Sequence, residues 1–306
     1  MPVSSIRSAT AALGAASVAD IRVQEPAGIK PRRLGVRLVT AVVYAAVVLG
    51  AIWFGANGPL GRYEPIVLGV VLGVFAGFAA AEFYALSRRE SRLPNDVFGV
   101  VAAVAMPVFA ALWGMAGLTA VVTALIAASL VWHVAFVRVR TADTALTVFG
   151  AVYTGFLLAY LVLILRVFSA GMVLAFAVVI SVWANDSLAY LVGSTLGRHK
   201  ISPRISPKKS WEGFIAGMLG TVAVWVGMAL LIPATGVGVP LAASVGVVVG
   251  VAVFVGDLFE SRMKREAGVK DSGNLLPGHG GFLDRLDSFI LVFLVAYWIL
   301  WWGGVR

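Results

Sequence analysis

Long apolar runs separated by short polar breaks make up this chain from residue 35 onward. Each run is close to the roughly 20 residues that a helix needs to cross about 30 Å of hydrocarbon. The pattern predicts an all-α polytopic membrane protein with about nine transmembrane helices. The predicted spans are 35–56, 65–87, 97–114, 117–137, 147–166, 171–193, 213–233, 238–260 and 282–302. The break at residues 114–117 is the shortest.

The composition excludes a soluble globular protein. Hydrophobic residues make up 60% of the chain and charged residues 13%, whereas about 25% of a soluble domain is charged. A soluble domain needs a polar skin that this chain cannot supply. The chain has no cysteine, so disulfide bonds are excluded.

The distribution of basic residues predicts the orientation of the chain in the membrane. If the N-terminus is cytoplasmic, 21 of the 24 basic residues fall in cytoplasmic segments, and only Arg62, Arg166 and Arg306 fall outside. This is the bias of the positive-inside rule. We therefore expect a cytoplasmic N-terminus, an external C-terminus and a location in the cell membrane. The net charge of +9 fits loops that face anionic lipid, so no nucleic acid partner is expected.

The chain divides into three predicted segments. Residues 1–33 lack the apolar core of a signal peptide and predict a disordered cytoplasmic tail. Residues 34–170 contain the N-terminal transmembrane helices. Residues 171–306 contain most of the polar side chains that could take part in a reaction. We expect these residues to form a C-terminal catalytic transmembrane domain.

Acidic residues in or beside membrane spans are costly and usually face a polar interior. They are Glu82, Asp186, Glu212, Asp257, Glu260, Asp284 and Asp287. Six of these seven lie near the cytoplasmic ends of the last four spans. The spacing of Asp257 and Glu260, like that of Asp284 and Asp287, places each pair on one helix face. Two carboxylate faces meeting at the cytoplasm favour a hard cation such as Mg²⁺, although solvated charges at helix ends are the alternative.

A basic segment lies opposite these carboxylates in the predicted topology. Ser206, Lys208, Lys209 and Ser210 precede a helix that is expected to begin near Trp211. Hydroxyl groups, lysines and the N–H groups of a helix start together form a suitable cradle for phosphate. A positive-inside loop with an ordinary helix cap is the alternative, and no GxxxxGK[ST] motif is present. The basic segment and the carboxylate cluster together favour an enzyme of phosphoryl or nucleotidyl transfer.

His279 lies in a Pro-Gly-His-Gly-Gly turn, where the glycines permit close approach of the backbone to a ligand. No second histidine lies nearby, so its use as a metal ligand is poorly supported. A structural role is the simpler interpretation of a lone histidine in a loop. Phosphate binding is the functional interpretation.

Three blocks of this sequence resemble the phosphatidate cytidylyltransferase (CDP-diacylglycerol synthase) family. The first is SRMKREAGVKDSGNLLPGHGGFLDRLD at residues 261–287, which matches the family signature throughout. The second is SPKKS at 206–210 with the Glu-Gly pair at 212–213. The third is NDSLAY at 185–190, in which Ser187 replaces a commoner threonine and keeps the hydroxyl. These blocks cover roughly residues 171–290.

The resemblance implies a reaction in which CTP and phosphatidic acid give CDP-diacylglycerol and pyrophosphate, with Mg²⁺ as cofactor. It implies catalytic roles for Lys209, Asp186, Asp257 and Asp284. The implied metal ligands are the three aspartates just named, together with Asp287. The implied contacts to CTP or phosphate are Ser206, Lys208, Lys209, Ser210, Glu212, Lys264, Arg265, His279 and Arg285. An even oligomer, such as a homodimer, is implied by the resemblance alone.

Two other classes of function fit part of the pattern. A different membrane enzyme that uses CTP, such as a polyprenol kinase, would release CDP instead of pyrophosphate. An anion transporter would explain the intramembrane carboxylates and the basic loops. It would not explain why the candidate residues lie on one side of the membrane without a polar trail to the other.

Overall fold

A computed structural model describes residues 31–57, 65–273 and 280–306 of the chain. The first helix begins at Pro31, inside the segment expected to be a tail. Residues 1–30 and His279 lie outside the described residues.

The described part is built from helices, with one short β-hairpin. The helices are α1 (Pro31–Asn57), α2 (Pro65–Arg89), α3 (Asp96–Ala135), α4 (Thr141–Ala151), α5 (Leu157–Val167), α6 (Gly171–Thr195), α7 (Trp211–Leu231), α8 (Val239–Glu266) and α9 (Leu283–Trp302). A π-helical turn, Val152–Phe156, joins α4 to α5, and a 3-10 turn, Pro233–Thr235, precedes α8. Strands β1 (Lys200–Ser202) and β2 (Ser206–Ser210) pair antiparallel between α6 and α7. The hairpin is the one departure from the predicted all-α class within the described ranges.

The helix α3 is divided by a kink at the shortest predicted break. Its 40 residues would extend about 60 Å if straight, twice the thickness of the hydrocarbon core. Gly114 has φ 63° and ψ −142°, which ends regular helix geometry there. Arg166 from α5 donates a 2.5 Å hydrogen bond to the carbonyl of Ala111, one of the groups that the kink leaves without a helical partner.

Six helices of the described residues are long and apolar enough to cross a membrane. They are Pro65–Arg89, Asp96–Ala135, Thr141–Val167, Gly171–Thr195, Trp211–Leu231 and Val239–Glu266. A shorter apolar stretch lies in α1 at Val42–Asn57. The chain is therefore an integral membrane protein with several helical spans, and the predicted polytopic class is confirmed at this level.

Helices α6 to α9 pack in sequence order, and α9 also packs against α5 and α2. Small residues allow the close approach. Gly256 of α8 lies against the backbone of Asp287 in α9, so that a Cβ there would overlap the Asp287 carbonyl oxygen. Close contact at glycine is the usual means of packing helices in lipid. It brings the polar ends of α8 and α9 together.

The π-helical turn is another tight contact. A Cβ on Gly155 would lie 2.5 Å from the Cα of Ala103 in α3, and backbone atoms cannot move aside easily. The hydroxyl of Thr154 is satisfied within its own helix, 2.8 Å from the Gly150 carbonyl. Helices α3 and α5 are thus held at a separation that only glycine permits.

We predict that Gly155→Ala destabilises the protein by about 1–3 kcal/mol, because an added methyl group overpacks the contact with α3. Thermal unfolding in detergent measures the change. Gly227→Ala in α7 is the matched control, since no atom lies within 4 Å of the added Cβ and alanine favours helix. Equal effects of the two substitutions would contradict the tight contact.

Candidate active site

A cavity of about 1210 Å³ lies at the end of the bundle that carries the β-hairpin. Its wall contains residues from α1, α6, the hairpin, α7, α8 and α9. All four carboxylates predicted to bind metal line this cavity, namely Asp186, Asp257, Asp284 and Asp287. So do Ser206, Lys208, Lys209, Ser210, Lys264 and Arg285. The fold therefore brings together predicted site residues that lie far apart in the sequence, from Asp186 to Asp287.

The hairpin is joined to α8 by an ion pair across the cavity wall. Nζ of Lys209 lies 2.7 Å from Oδ2 of Asp257. The ammonium group also lies 5.0 Å from the centre of the Phe254 ring, at cation–π distance. The hydroxyl of Ser261, one turn further along α8, donates a 3.3 Å hydrogen bond to Oδ1 of Asp257. Both oxygens of Asp257 are thus engaged.

Lys264 joins α8 to α9. Its Nζ pairs with Glu260 one turn before it and lies 2.6 Å from Oδ1 of Asp284. Glu260 has no solvent exposure, and the Lys264 side chain is only 13% exposed. A buried carboxylate without a partner costs several kcal/mol. One cation therefore compensates two carboxylates, and the two predicted carboxylate faces meet through it.

Asp284 is also held by the backbone around it. Its Oδ2 accepts hydrogen bonds from the N–H groups of Ser272 at 3.0 Å and Gly281 at 2.8 Å. Asp287, one turn later, is buried and its Oδ1 accepts from the N–H of Ser288 at 2.6 Å. The first turn of α9 thus presents two carboxylates to the cavity from fixed positions.

Asp186 is the least engaged of the four carboxylates. It is exposed at the cavity wall and makes no hydrogen bond or ion pair with another described residue. Neighbouring Asn185 is buried against Gly217 of α7. Asp186 is therefore available to a ligand that enters the cavity.

The segment expected to cradle phosphate is strand β2 and a helix cap. The prediction of a helix start near Trp211 is confirmed, since α7 begins there. Ser210 caps it, with its hydroxyl accepting a 3.2 Å hydrogen bond from the N–H of Gly213. Ser206 pairs with Ser202 in the hairpin. Lys208 is exposed beside the cavity, and Lys209 points inward to Asp257.

Two of the described residues that the resemblance implies as phosphate contacts lie outside the cavity wall. Glu212 accepts hydrogen bonds from His199, whose Nδ1 is 2.6 Å from Oε1 and whose backbone N–H is 3.2 Å from it. Arg265 donates to the carbonyls of Ile205, at 3.4 Å, and Val269. Both side chains fasten the hairpin to the bundle. Neither was distinguishable from a phosphate ligand by its place in the sequence.

Sequence reasoning assigned no role to Glu82, which is the carboxylate of α2. It is 5% exposed and bonded to residues just before α9. The sequence did contain a signal for Glu82, because an acidic residue inside an apolar span usually has a functional or structural role. Thr40 and Tyr44 of α1 also line the cavity, although nothing in the apolar pattern of that helix separates them from residues that face lipid.

The donor set around the cavity suits a hard divalent cation. Its groups are carboxylate oxygens, and Mg²⁺ is commonly held by one or two carboxylates together with phosphates of a substrate. Within residues 31–57, 65–273 and 280–306, no three acidic or histidine side chains are grouped closely enough to hold an ion by themselves. Two of the carboxylates are paired with lysines instead.

The lysines and carboxylates that line this cavity, in a chain with several membrane-spanning helices, are groups suited to binding anions and divalent cations. The model of the cytidylyltransferase family matches residues 35–302. The chain belongs to the cytidylyltransferase family, and it is therefore a nucleotidyltransferase.

Several relatives of this chain are named phosphatidate cytidylyltransferase. The phosphatidate cytidylyltransferase of Pseudomonas aeruginosa is 32% identical over 279 residues, which is 88% of this chain and 98% of the relative. That of Bacillus subtilis is 39% identical over 153 residues, 49% of this chain and 56% of the relative. That of Thermotoga maritima is 43% identical over 154 residues, 48% of this chain and 55% of the relative.

We predict that Lys264→Met lowers the free energy of unfolding by about 3–5 kcal/mol, because it leaves Glu260 and Asp284 buried without a cation. Unfolding by denaturant in detergent micelles measures the loss. Arg262→Met is the matched control on the same helix. Its ion pair with Glu266 is exposed, so the expected loss is at most about 1 kcal/mol. Similar losses in the two variants would show that Lys264 stabilises the protein no more than an exposed ion pair does.

Proposed function

We propose that the protein transfers the CMP group of CTP to phosphatidic acid, giving CDP-diacylglycerol and pyrophosphate. The observation that carries the proposal is the cavity in which the lysines of the hairpin and α8 meet the carboxylates of α8 and α9. Membership of the cytidylyltransferase family and a relative of this name aligned over nearly its whole length support the same reaction.

The reaction needs little acid–base chemistry from the protein. A phosphate monoester has its second pKa near 6, so the phosphate of phosphatidic acid is largely a dianion at neutral pH. One of its oxygens forms a bond to the α-phosphorus of CTP, while the bond from that phosphorus to the bridging oxygen of the β-phosphate breaks. Pyrophosphate leaves with the electron pair. The protein must hold two anions together and neutralise the developing charge.

Lysines that are paired with carboxylates suit this task. In the proposal, Lys209 and Lys208, with Ser206 and Ser210, contact the phosphates of CTP. Lys264 and Arg285 also line the cavity and contact the lipid phosphate or the nucleotide. Glu212 and Arg265 act indirectly, by fastening the hairpin that carries Lys208 and Lys209. His279 lies outside the described residues, and its phosphate contact stays a prediction.

We also propose that Mg²⁺ is the cofactor. Asp257 and Asp284 would hold it, with Asp186 and Asp287 beside them, and phosphates of CTP would complete its coordination. When bound, such an ion would supply charge neutralisation at the phosphates. Lys209 and Lys264, which pair with Asp257 and Asp284, would then be released to contact phosphate.

The proposed arrangement in the cell has nine spans, a cytoplasmic N-terminus and an external C-terminus, in the cell membrane. Counting the two halves of α3 separately, and α4 to α5 as one span, each described helix falls on one predicted span. The cavity then opens to the cytoplasm, where CTP is available. Thr40 and Tyr44 of α1 line the side of the cavity, and we propose that the lipid enters along this helix. A homodimer is proposed from family resemblance alone.

Purified protein in detergent, given radiolabelled CTP, phosphatidic acid and Mg²⁺, is expected to form CDP-diacylglycerol and pyrophosphate in equal amounts. Neither product should form without Mg²⁺. Release of CDP in place of pyrophosphate would favour a membrane kinase. Binding of CTP with no product would favour a transporter of anions. Each of these two results would contradict the proposal.

Variants of the cavity carboxylates test their role in this assay, and a carboxylate outside the cavity serves as the control. Asp257→Asn and Asp284→Asn should each abolish product formation while the protein still inserts, because charge stabilisation usually makes the largest contribution to such transfers. Asp96→Asn, which alters an exposed pair with Arg88, should keep activity near that of the unmodified protein. Full activity of Asp257→Asn at saturating Mg²⁺ would remove this residue from the metal site.

The absence of native cysteine makes the topology testable by labelling. We predict that Arg204→Cys, at the exposed tip of the hairpin, reacts with an impermeant maleimide only after cells are permeabilised. Ala234→Cys, exposed in the turn between α7 and α8, should react in intact cells. The reverse pattern would overturn the proposed orientation.

A further inference from the structure

Glu82 is a carboxylate of the N-terminal half whose partners all belong to the C-terminal signature segment. Its Oε1 accepts a hydrogen bond from the N–H of Phe282 at 3.0 Å. Its Oε2 accepts from the N–H of Leu283 at 2.9 Å and from the hydroxyl of Ser272 at 2.8 Å. These residues lie on both sides of positions 274–279. Glu82 therefore binds the signature segment on both sides of positions 274–279.

Two of these hydrogen bonds, those from the N–H groups of Phe282 and Leu283, cap helix α9. A helix leaves its first N–H groups without helical partners, and Phe282 provides no side-chain cap of its own. Glu82, two turns before the end of α2, takes that role from another part of the chain. Its negative charge is favourable at a helix N-terminus. Within the described residues Glu82 has no ion pair, so neutral donors compensate its burial.

Two glycines of the signature segment fit around this carboxylate. A Cβ on Gly273 or on Gly281 would lie 2.7 Å from Cδ of Glu82 and overlap one of its oxygens. Neither glycine has a positive φ, so the backbone itself would accept alanine at both positions. The space taken by Glu82 explains why these positions have no side chain.

Ser272 connects Glu82 to the cavity. Its hydroxyl donates to Glu82 and its N–H donates to Oδ2 of Asp284 at 3.0 Å. Gly281, whose N–H also donates to Oδ2 of Asp284, packs against Glu82. Among the described residues, both backbone donors to Asp284 are therefore placed by contact with Glu82. A shift of this loop would turn Asp284 away from Lys264 and from the cavity.

We infer that Glu82 is a positioning residue for nucleotidyl transfer, which holds the signature segment and through it sets the place of Asp284. The inference rests on the proposed function for its effect on catalysis. Its structural part, the fastening of residues 272 and 281–283 by Glu82, can be measured without any reaction.

The first test compares Glu82→Gln with Asp143→Asn in the full-length protein. Asp143 is also a buried carboxylate that binds backbone N–H groups, those of Leu93 and Arg140, but it lies away from the cavity. Glutamine has one acceptor oxygen and cannot keep all three bonds. At saturating CTP and Mg²⁺ we expect kcat of Glu82→Gln to fall about tenfold or more, since small displacements of reacting groups are costly. The KM for CTP should change less than about threefold, and kcat of Asp143→Asn less than about twofold.

Hydrogen exchange measured by mass spectrometry on the protein without substrates gives the independent readout. Peptides that contain residues 281–283 should exchange faster in Glu82→Gln than in the unmodified protein or in Asp143→Asn. Unchanged exchange in Glu82→Gln, or an equal loss of kcat in both variants, would overturn the inference. An unmodified protein that makes no CDP-diacylglycerol would overturn the proposed function instead, and the exchange data would still decide whether Glu82 holds the loop.

A second variant leaves Glu82 in place. Gly273→Ala introduces a methyl group whose three nearest atoms all belong to Glu82. The methyl group of Gly227→Ala has no atom within 4 Å. Gly273→Ala should therefore reduce kcat and speed exchange at residues 281–283, and Gly227→Ala should do neither. Normal kcat and normal exchange in Gly273→Ala would overturn the inference even if Glu82→Gln failed to fold.

Discussion

The compensation of buried carboxylates is the constraint on which the polar end of this protein depends. Glu260 is fully buried and Asp284 nearly so, and both rely on the single ammonium group of Lys264. An uncompensated ion at such a place would cost several kcal/mol. Helices α8 and α9 must therefore keep the separation that Lys264 bridges, and close contact at Gly256 makes that separation attainable. The pair of Lys209 with Asp257 fixes the hairpin to this unit in the same way.

Pairs of this kind also give the cavity its chemistry. In the proposed function these lysines contact phosphate, and the pair of Lys209 with Asp257 is accessible to a ligand because Asp257 is 37% exposed. In the proposed function the lysines would contact phosphates and the carboxylates would contact the cation, so that each charged group would exchange one partner of opposite charge for another. Glu82 adds a fixed point behind them. Its partners among the described residues are neutral donors, so these hydrogen bonds do not depend on this exchange.

Much of the fold followed from local rules. Apolar runs of membrane length placed the helices, and the serine and charged residues before Trp211 marked the start of α7. Residues four apart on a helix are neighbours, and the hydroxyl of Ser261 accordingly binds Asp257. Local rules could not find the β-hairpin, whose strands have only three and five residues and little side-chain pattern. Nor could they show that Glu212 binds His199 and that Arg265 binds the backbone, because a charged side chain near a helix end has several partners within reach.

The sequence alone determined that the chain is a membrane protein, where its long apolar helices lie and which polar residues could do chemistry, because hydropathy and helical periodicity are properties of short segments. The matching signature at residues 261–287 also indicated the family that the comparison confirmed. Only the tertiary structure decided which charges compensate each other. Lys264 could have faced solvent, and Glu82 could have paired within its own helix. Its contact with Ser272, across 190 residues, depends on how α2 packs beside α9, and no local pattern encodes a distance between two helices.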